Sequence, residues 1–339
     1  MAKACHGARE AALRTLIVHN PKSGFGSDAI FQFERSLVHA GDECVMRMLG
    51  PDFDIEGAVA DAESFDVVTV SGGDGTVATL LYALRGRNVR TCVFPSGTAN
   101  LLCSNIGNAS EPAALARACR MGSTADLDIC EISWTTQAGQ TETRGFALMS
   151  GTGFDAQLMQ AAIPNKASLG QAAYFAAALE NPRPAVEKYK ITVDGVTYER
   201  EGITCMVANN AMIQGDIQIV PDCRMDDGKL DVIVVETEHT AQLLRPVLFG
   251  LVDREGKAIG RPHLESFSGT HVRVECARPI PIEVDGEVVP GAVTSYEARV
   301  LPGAAHLVVD SMSPYGKRAQ AESISVFGET DEPAYPDAP

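Results

Sequence analysis

Long apolar runs are missing from the 339-residue chain, and no stretch approaches the roughly 18 apolar residues that a bilayer-spanning helix needs. The first dozen residues, MAKACHGAREAA, have no apolar core of the secretory kind. Both absences predict a cytoplasmic protein. Positive charge is scarce: 28 Lys and Arg stand against 44 Asp and Glu, a net charge of −16. That balance excludes a broad nucleic-acid face, so no nucleic-acid partner is expected. The nine cysteines contain no CxxC pair and the seven histidines no HExxH, which argues against a disulfide framework and a zinc site. No GxSxG elbow of a serine hydrolase is present.

Apolar residues make up 45% of the chain, enough for a sizeable core, and the length suggests two domains. Residues 13–125 read as an α/β domain with a parallel sheet. Strands are expected at Leu16–Val18, Val45–Leu49, Phe65–Val70 and Thr91–Phe94, with helices over 27–40 and about 76–84. Ile30, Phe33, Leu37 and Ala40 fall on one face of the first helix, after Ser27 or Asp28 as N-cap. From 126 to 310 short strands between Gly, Asp and Pro turns predict a β-rich, antiparallel sandwich-like domain. Helical patches at 168–180 and 240–252 interrupt it, the first (LGQAAYFAAAL) open between a packed helix and a membrane-contact helix. Residues 311–339 lose periodicity, and the acidic, proline-bearing end reads as a frayed or partly disordered tail.

Strand, glycine turn and helix recur in sequence, which predicts ligand loops at the carboxyl ends of the strands. Gly72-Gly73-Asp74-Gly75-Thr76 lets the backbone approach a phosphate, and the amides at the following helix start supply donors. It is neither a Walker A loop, since no GKS or GKT follows, nor a GxGxxG fingerprint. Asn20-Pro21-Lys22-Ser23-Gly24 follows the first strand and Pro95-Ser96-Gly97-Thr98-Ala99-Asn100 the fourth. Their Asn, Ser and Thr side chains can bind base, ribose or phosphate, and Lys22 adds one compact positive charge. Asp74 would meet phosphate through magnesium or water, or else fix the turn. Asp285 and Glu287 flank Gly286 and suit proton transfer, although a DG pair also makes a plain hairpin turn. Asp226-Asp227-Gly228-Lys229 reads as a turn. Asn209-Asn210 is open between a turn and a cleft-facing pair, and Asp155 between a hinge and a substrate contact.

NPKSG at 20–24, SGGDGT at 71–76, PSGTAN at 95–100, GTGFDA at 151–156, PDCRMDDGKLDV at 221–232 and VDGE at 284–287 occur in that order. With this set the chain resembles the lipid kinases with a diacylglycerol-kinase catalytic domain, a family that includes sphingosine and ceramide kinases. The resemblance implies ATP in the cleft, bound by Asn20, Pro21, Lys22, Ser23, Gly24, Gly72, Gly73, Asp74, Gly75, Thr76, Gly97, Thr98 and Asn100. It implies Asp285 as general base toward a lipid hydroxyl, Glu287 as its orienting partner or a magnesium ligand, and Asp74 beside a catalytic Mg2+. It places a structural Mg2+ on Asp227 with the carbonyls of Arg224 and Lys229. Many bacterial members carry Asn-Glu where this chain has Ala78-Thr79, and Asp and Arg where it has Leu101 and Ser104. The function so implied is an ATP-dependent lipid kinase acting at a bilayer surface, with reversible peripheral attachment and diacylglycerol as default acceptor. Another lipid alcohol such as ceramide or a sphingoid base, an NAD kinase, and a non-catalytic nucleotide- or lipid-binding protein remain alternatives at this stage, as does pairing into a homodimer.

Overall fold

The computed structural model describes residues 11–23, 28–50, 54–136, 138–154, 156, 184–213, 217–237, 253–255, 257 and 261–316. The two helical patches at 168–180 and 240–252, Asp155, Gly24 and the tail from 317 onward lie outside the described residues.

The first domain begins with β1 (Arg14–His19), α1 (Ala29–His39), β2 (Glu43–Met48) and the single turn α2 (Ile55–Ala58). β3 (Val67–Gly72), α3 (Asp74–Ala83), β4 (Arg90–Pro95), α4 (Leu101–Asn105) and α5 (Pro112–Met121) follow. β1 to β4 pair in parallel in the order β2-β1-β3-β4. Every residue of β3 is buried, which is why Val67–Val70 form a continuous β-branched run rather than an alternation. α1 buries the expected Ile30, Phe33 and Leu37, and Phe33 meets Phe94 of β4 with ring centroids 5.2 Å apart. A fully buried side chain of this kind contributes about 1.5–3 kcal/mol. Asp28 does occupy the N-cap position, but its side chain makes no capping bond.

The second half is built from β5 (Ser123–Thr135), β6 (Thr141–Phe146), β7 (Met149–Gly153), β8 (Glu187–Val193), β9 (Val196–Gly202), β10 (Thr204–Ala208), β11 (Met212–Ile213) and β12 (Ile217–Gln218). It continues through β13 (Leu230–Val235), β14 (Leu264–Gly269), β15 (His271–Ile280), β16 (Ile282–Val284), β17 (Glu287–Val288) and β18 (Val293–Val309). A six-stranded antiparallel sheet, β14-β13-β10-β7-β16-β17, faces the distal part of a ten-stranded sheet. Between them lies an apolar core that includes Ile191, Val207, Val232, Val234, Val274 and Tyr296.

The ten-stranded sheet is continuous between the two halves. β18 pairs antiparallel with β15 and β5, and its end, His306–Leu307, runs parallel to β4. Pro302-Gly303, a pair that commonly ends a strand, lies within β18. The structure passes that point with a register shift between Leu301 and Ala305. Beyond β18, Ser313 and Tyr315 are buried, with Ser313 Oγ donating to the Ile106 carbonyl at 2.5 Å. The extension therefore starts as packed chain, and its acidic end, where fraying is expected, lies outside the described residues.

Candidate active site

Three loops meet at the carboxyl edge of the parallel strands. After β1, Asn20 Nδ2 donates to Thr76 Oγ1 at 3.0 Å, and its Oδ1 accepts the Lys22 amide at 3.0 Å. Ser23 Oγ accepts the Gly73 amide at 3.0 Å, tying the first loop to the second. After β4, Asn100 holds a left-handed backbone (φ 52°) and clasps Gly97, accepting its amide at 2.7 Å and donating to its carbonyl at 2.9 Å. Together with the β16–β17 hairpin the loops enclose a cavity of about 270 Å3. Its lining is Asn20, Ser23, Gly73, Asp74, Gly75, Thr76, Gly97, Thr98, Ala99, Asp285, Gly286 and Glu287. That volume is below the ~300–1,000 Å3 of whole-ligand pockets and suits the phosphate end of a nucleotide. Pro21 and Lys22 are exposed on the turn outside the lining, whereas Gly72 and Asn100 support it from behind. A larger cleft of about 810 Å3 lies across β8, β9 and β15, where Lys188 pairs with Glu201 and Lys190 with Glu275.

The glycines of this edge serve different ends. A Cβ on Gly97 would stand 2.6 Å from Gly73 Cα, and one on Gly72 would stand 2.6 Å from Thr76 Cβ, so both are set by packing within the chain. Gly73 is not. Its φ of −77° suits any residue, and the nearest atom to a Cβ there is Gly97 Cα at 3.9 Å. Neither conformation nor space inside the protein requires a glycine at 73. The missing side chain leaves the backbone amides at the α3 N-terminus open to the cavity, an arrangement that can admit a phosphate.

Asp285 (φ 46°) and Gly286 (φ 79°) are the two central residues of the turn between β16 and β17, both left-handed as a type I′ hairpin demands. The turn breaks the extended register, so Glu287 belongs to the returning strand, where its side chain covers Gly75. The Asp285 carboxylate reaches across to the β6–β7 connection. Its Oδ2 accepts Ala147 N at 2.8 Å, and its Oδ1 accepts Leu148 N at 2.9 Å and Met149 N at 3.1 Å. Burial pushes its pKa up to about 7 against the pull of these three amides, and the charge of Asp74 adds to the rise. Asp74 opens α3, and its Oδ1 accepts the Leu102 amide of α4 at 3.1 Å.

Beneath the loops, His19 Nδ1 pairs with Ser71 Oγ at 2.8 Å, and Ser71 Oγ with Ser96 Oγ at 3.1 Å. This ladder joins the ends of β1, β3 and β4. Burial lowers the His19 pKa, keeping the ring neutral at pH 7. Where many bacterial lipid kinases carry Asn-Glu, Ala78 is buried in the core and Thr79 Oγ1 donates back to the Gly75 carbonyl at 2.8 Å. Leu101 packs against the same core.

Arg224, Asp227 and Lys229 share one turn away from this cavity. Asp227 Oδ1 accepts the Lys229 amide at 2.9 Å, while the Arg224 side chain pairs with Asp226. The nearby Asp128 carboxyl is raised by burial and by the charges of Asp227 and Asp226, although amides of Gly303 and Gly228 oppose the rise. A hard cation on oxygen ligands would relieve that repulsion, so the donor chemistry fits magnesium. Among the described residues no three His, Cys, Asp or Glu side chains are grouped to hold a metal ion. A cation at either place therefore depends on carbonyl, water or phosphate oxygens.

These loops and the hairpin facing them define a kinase of the lipid-kinase family with a diacylglycerol kinase catalytic domain, and the chain belongs to that family. The match to the diacylglycerol kinase catalytic domain spans residues 14–132, and residues 149–309 match the YegS C-terminal NAD kinase beta sandwich-like domain. Membership implies ATP as phosphoryl donor. The chain is 25% identical over 283 residues to a diacylglycerol kinase of Bacillus subtilis, covering 81% of this chain and 89% of that protein. It is 27% identical over 294 residues to a diacylglycerol kinase of Mycobacterium tuberculosis, covering 81% and 92%. A crystal structure of a diacylglycerol kinase from Bacillus anthracis superposes with a TM-score of 0.70 at 21% identity, covering 89% of this chain and 99% of that one. That likeness concerns the fold.

Proposed function

We propose that the protein transfers the γ-phosphoryl group of ATP to the hydroxyl of a membrane lipid, with diacylglycerol as the first acceptor to test and phosphatidic acid as its product. The observation that carries this reading is the juxtaposition of Gly73, whose missing side chain serves no need of the chain itself, with a carboxylate tuned to about 7 on the opposite wall. The diacylglycerol kinases of B. subtilis and M. tuberculosis supply the acceptor by analogy.

The amides at the start of α3, with Asn20, Ser23 and Thr98, hold and align the phosphates. Asp285 takes the proton of the acceptor hydroxyl as its oxygen attacks the γ-phosphorus and the bond to the β-phosphate oxygen breaks, leaving ADP. A carboxylate with a pKa near 7 is well matched to that transfer at neutral pH. Glu287 lies over Gly75, close enough to the phosphate cradle to orient the acceptor or join Asp74 in holding Mg2+, which supplies charge neutralisation when bound. A second Mg2+ on Asp227 with the carbonyls of Arg224 and Lys229 would tie the 224–229 turn.

The lipid acceptor requires access to a bilayer surface, and among the described residues no helix is long and apolar enough to cross one. We therefore place the protein at the membrane by reversible peripheral contact. Labelled ATP and magnesium, offered with diacylglycerol, ceramide, sphingosine, undecaprenol or NAD, test the reading. Labelled phosphatidic acid is the expected product. Label on NAD alone, or on nothing, overturns it.

A further inference from the structure

Asn105, Asn209 and Asn210 lie outside the cavity lining, and all are buried. Asn105 ends α4 of the first domain, while Asn209 and Asn210 follow β10 of the second. Burying an amide side chain costs free energy unless its hydrogen bonds are met, so each needs a partner inside the protein. Asn105 Nδ2 donates to Asn210 Oδ1 at 2.8 Å and to the Met212 carbonyl at 3.2 Å. Asn210 Oδ1 also accepts the Met212 amide at 3.0 Å, which fixes which way its amide faces. Asn209 Nδ2 donates to the Asp128 and Ala147 carbonyls, both at 2.9 Å.

The backbone amides of the pair complete the connection. Asn209 N and Asn210 N both donate to the Leu148 carbonyl, at 2.8 and 3.0 Å. Leu148 N in turn donates to Asp285 Oδ1. At the other end, the Leu102 amide in the same short helix as Asn105 holds Asp74. A continuous path therefore runs from Asp74 through α4, Asn105, Asn210 and Leu148 to Asp285. Its ends are the two carboxylates that face each other across the cavity.

We propose that the Asn105–Asn210 hydrogen bond is an interdomain latch, and that Asn210 is a positioning residue that holds the Ala147–Met149 connection, and with it Asp285, at its working distance from the phosphate loops. The inference rests on the reading of Asp285 as the base. Phosphoryl transfer gains its rate largely from alignment, so a small displacement lowers turnover without disturbing nucleotide contacts made wholly by the first domain.

Asn210→Leu keeps the branched side-chain skeleton, at a larger volume, and removes the latch. Asn210→Asp retains an acceptor for Asn105 and Met212. In Asn210→Leu, kcat should fall about 10–100-fold, with ATP affinity within about 3-fold of the wild type. Asn210→Asp should restore turnover to within about 5-fold, again with ATP affinity near the wild type. A loss of ATP affinity that matches the kcat loss, or no loss in the folded variant, overturns the latch. If Asn210→Leu does not fold, Asn105→Ala makes the same cut from the first domain and decides by the same two readouts. Amide hydrogen exchange at Ala147–Met149 needs no acceptor lipid, so it separates failure of the latch from failure of the kinase reading. Exchange at least 10-fold faster in Asn105→Ala is expected, and unchanged exchange overturns the latch.

Discussion

The two walls of the cavity are built on opposite principles. The first-domain wall is mostly backbone: loop amides and glycines placed by strand ends, with Asn20, Ser23 and Asn100 acting as internal ties. The wall facing it is a hairpin whose chemistry rests on side chains, above all one carboxylate that also braces the connection between β6 and β7. The proposed function divides along the same line, with nucleotide binding on the strand edge and proton transfer on an element of the other domain. The difference teaches that substitutions on the first wall should act on nucleotide affinity or on folding, and those on the second chiefly on turnover.

The sharpest break of that comparison is Gly73→Val. A Cβ there stands 3.9 Å from its nearest neighbour, Gly97 Cα, so thermal stability should change little while ATP affinity falls at least about 100-fold by calorimetry. Wild-type affinity would remove the phosphate site from this loop. Gly97→Ala should behave in the reverse sense, because its Cβ meets Gly73 backbone at 2.6 Å. A stability loss of about 1–3 kcal/mol in denaturant unfolding is expected. Lys22→Met should matter least. Lys22 is exposed and outside the lining, so its long-range attraction should be worth about 2–5-fold in the KM for ATP at low ionic strength, vanishing at high salt.

Much of the first wall was legible because its requirements are local. A buried parallel strand, a glycine and a helix start leave a pattern in consecutive residues, and NPKSG, SGGDGT and PSGTAN each carry one. The continuity of β18 was hidden by Pro302-Gly303, which a bulge absorbs. Asn105 went unnoticed because its partners, Asn210 and Met212, are over a hundred residues away and no local spacing encodes the pairing. A polar residue ending the apolar LLCSN segment was the one available sign. For Asp285 the turn and the carboxylate are both real, and the sequence presented them as rivals. Although Asn-Gly is itself a favourable turn pair, Asn at 285 would not be neutral even in a merely structural role. Asn has one acceptor oxygen where the native carboxylate uses two, so one of the amides at 147–149 would face an NH2 group.

Loss of turnover in Asp285→Asn therefore does not by itself distinguish a base from a brace, and the pH dependence does. The fold raises this carboxyl above its ordinary range, so its contribution to stability is present at acidic pH and is lost as pH rises through about 7. Catalysis by the carboxylate runs the other way. The most direct measurement is kcat against pH, from about 5 to about 9, for the wild type and folded Asp285→Asn, with ATP, magnesium and diacylglycerol vesicles. The wild type should rise through about pH 7 with unit slope, and the variant should be flat and about 10²–10⁴-fold slower with ATP affinity nearly unchanged. A flat wild-type profile, or a variant that keeps the same rising limb, would contradict the assignment of Asp285 as the proton acceptor.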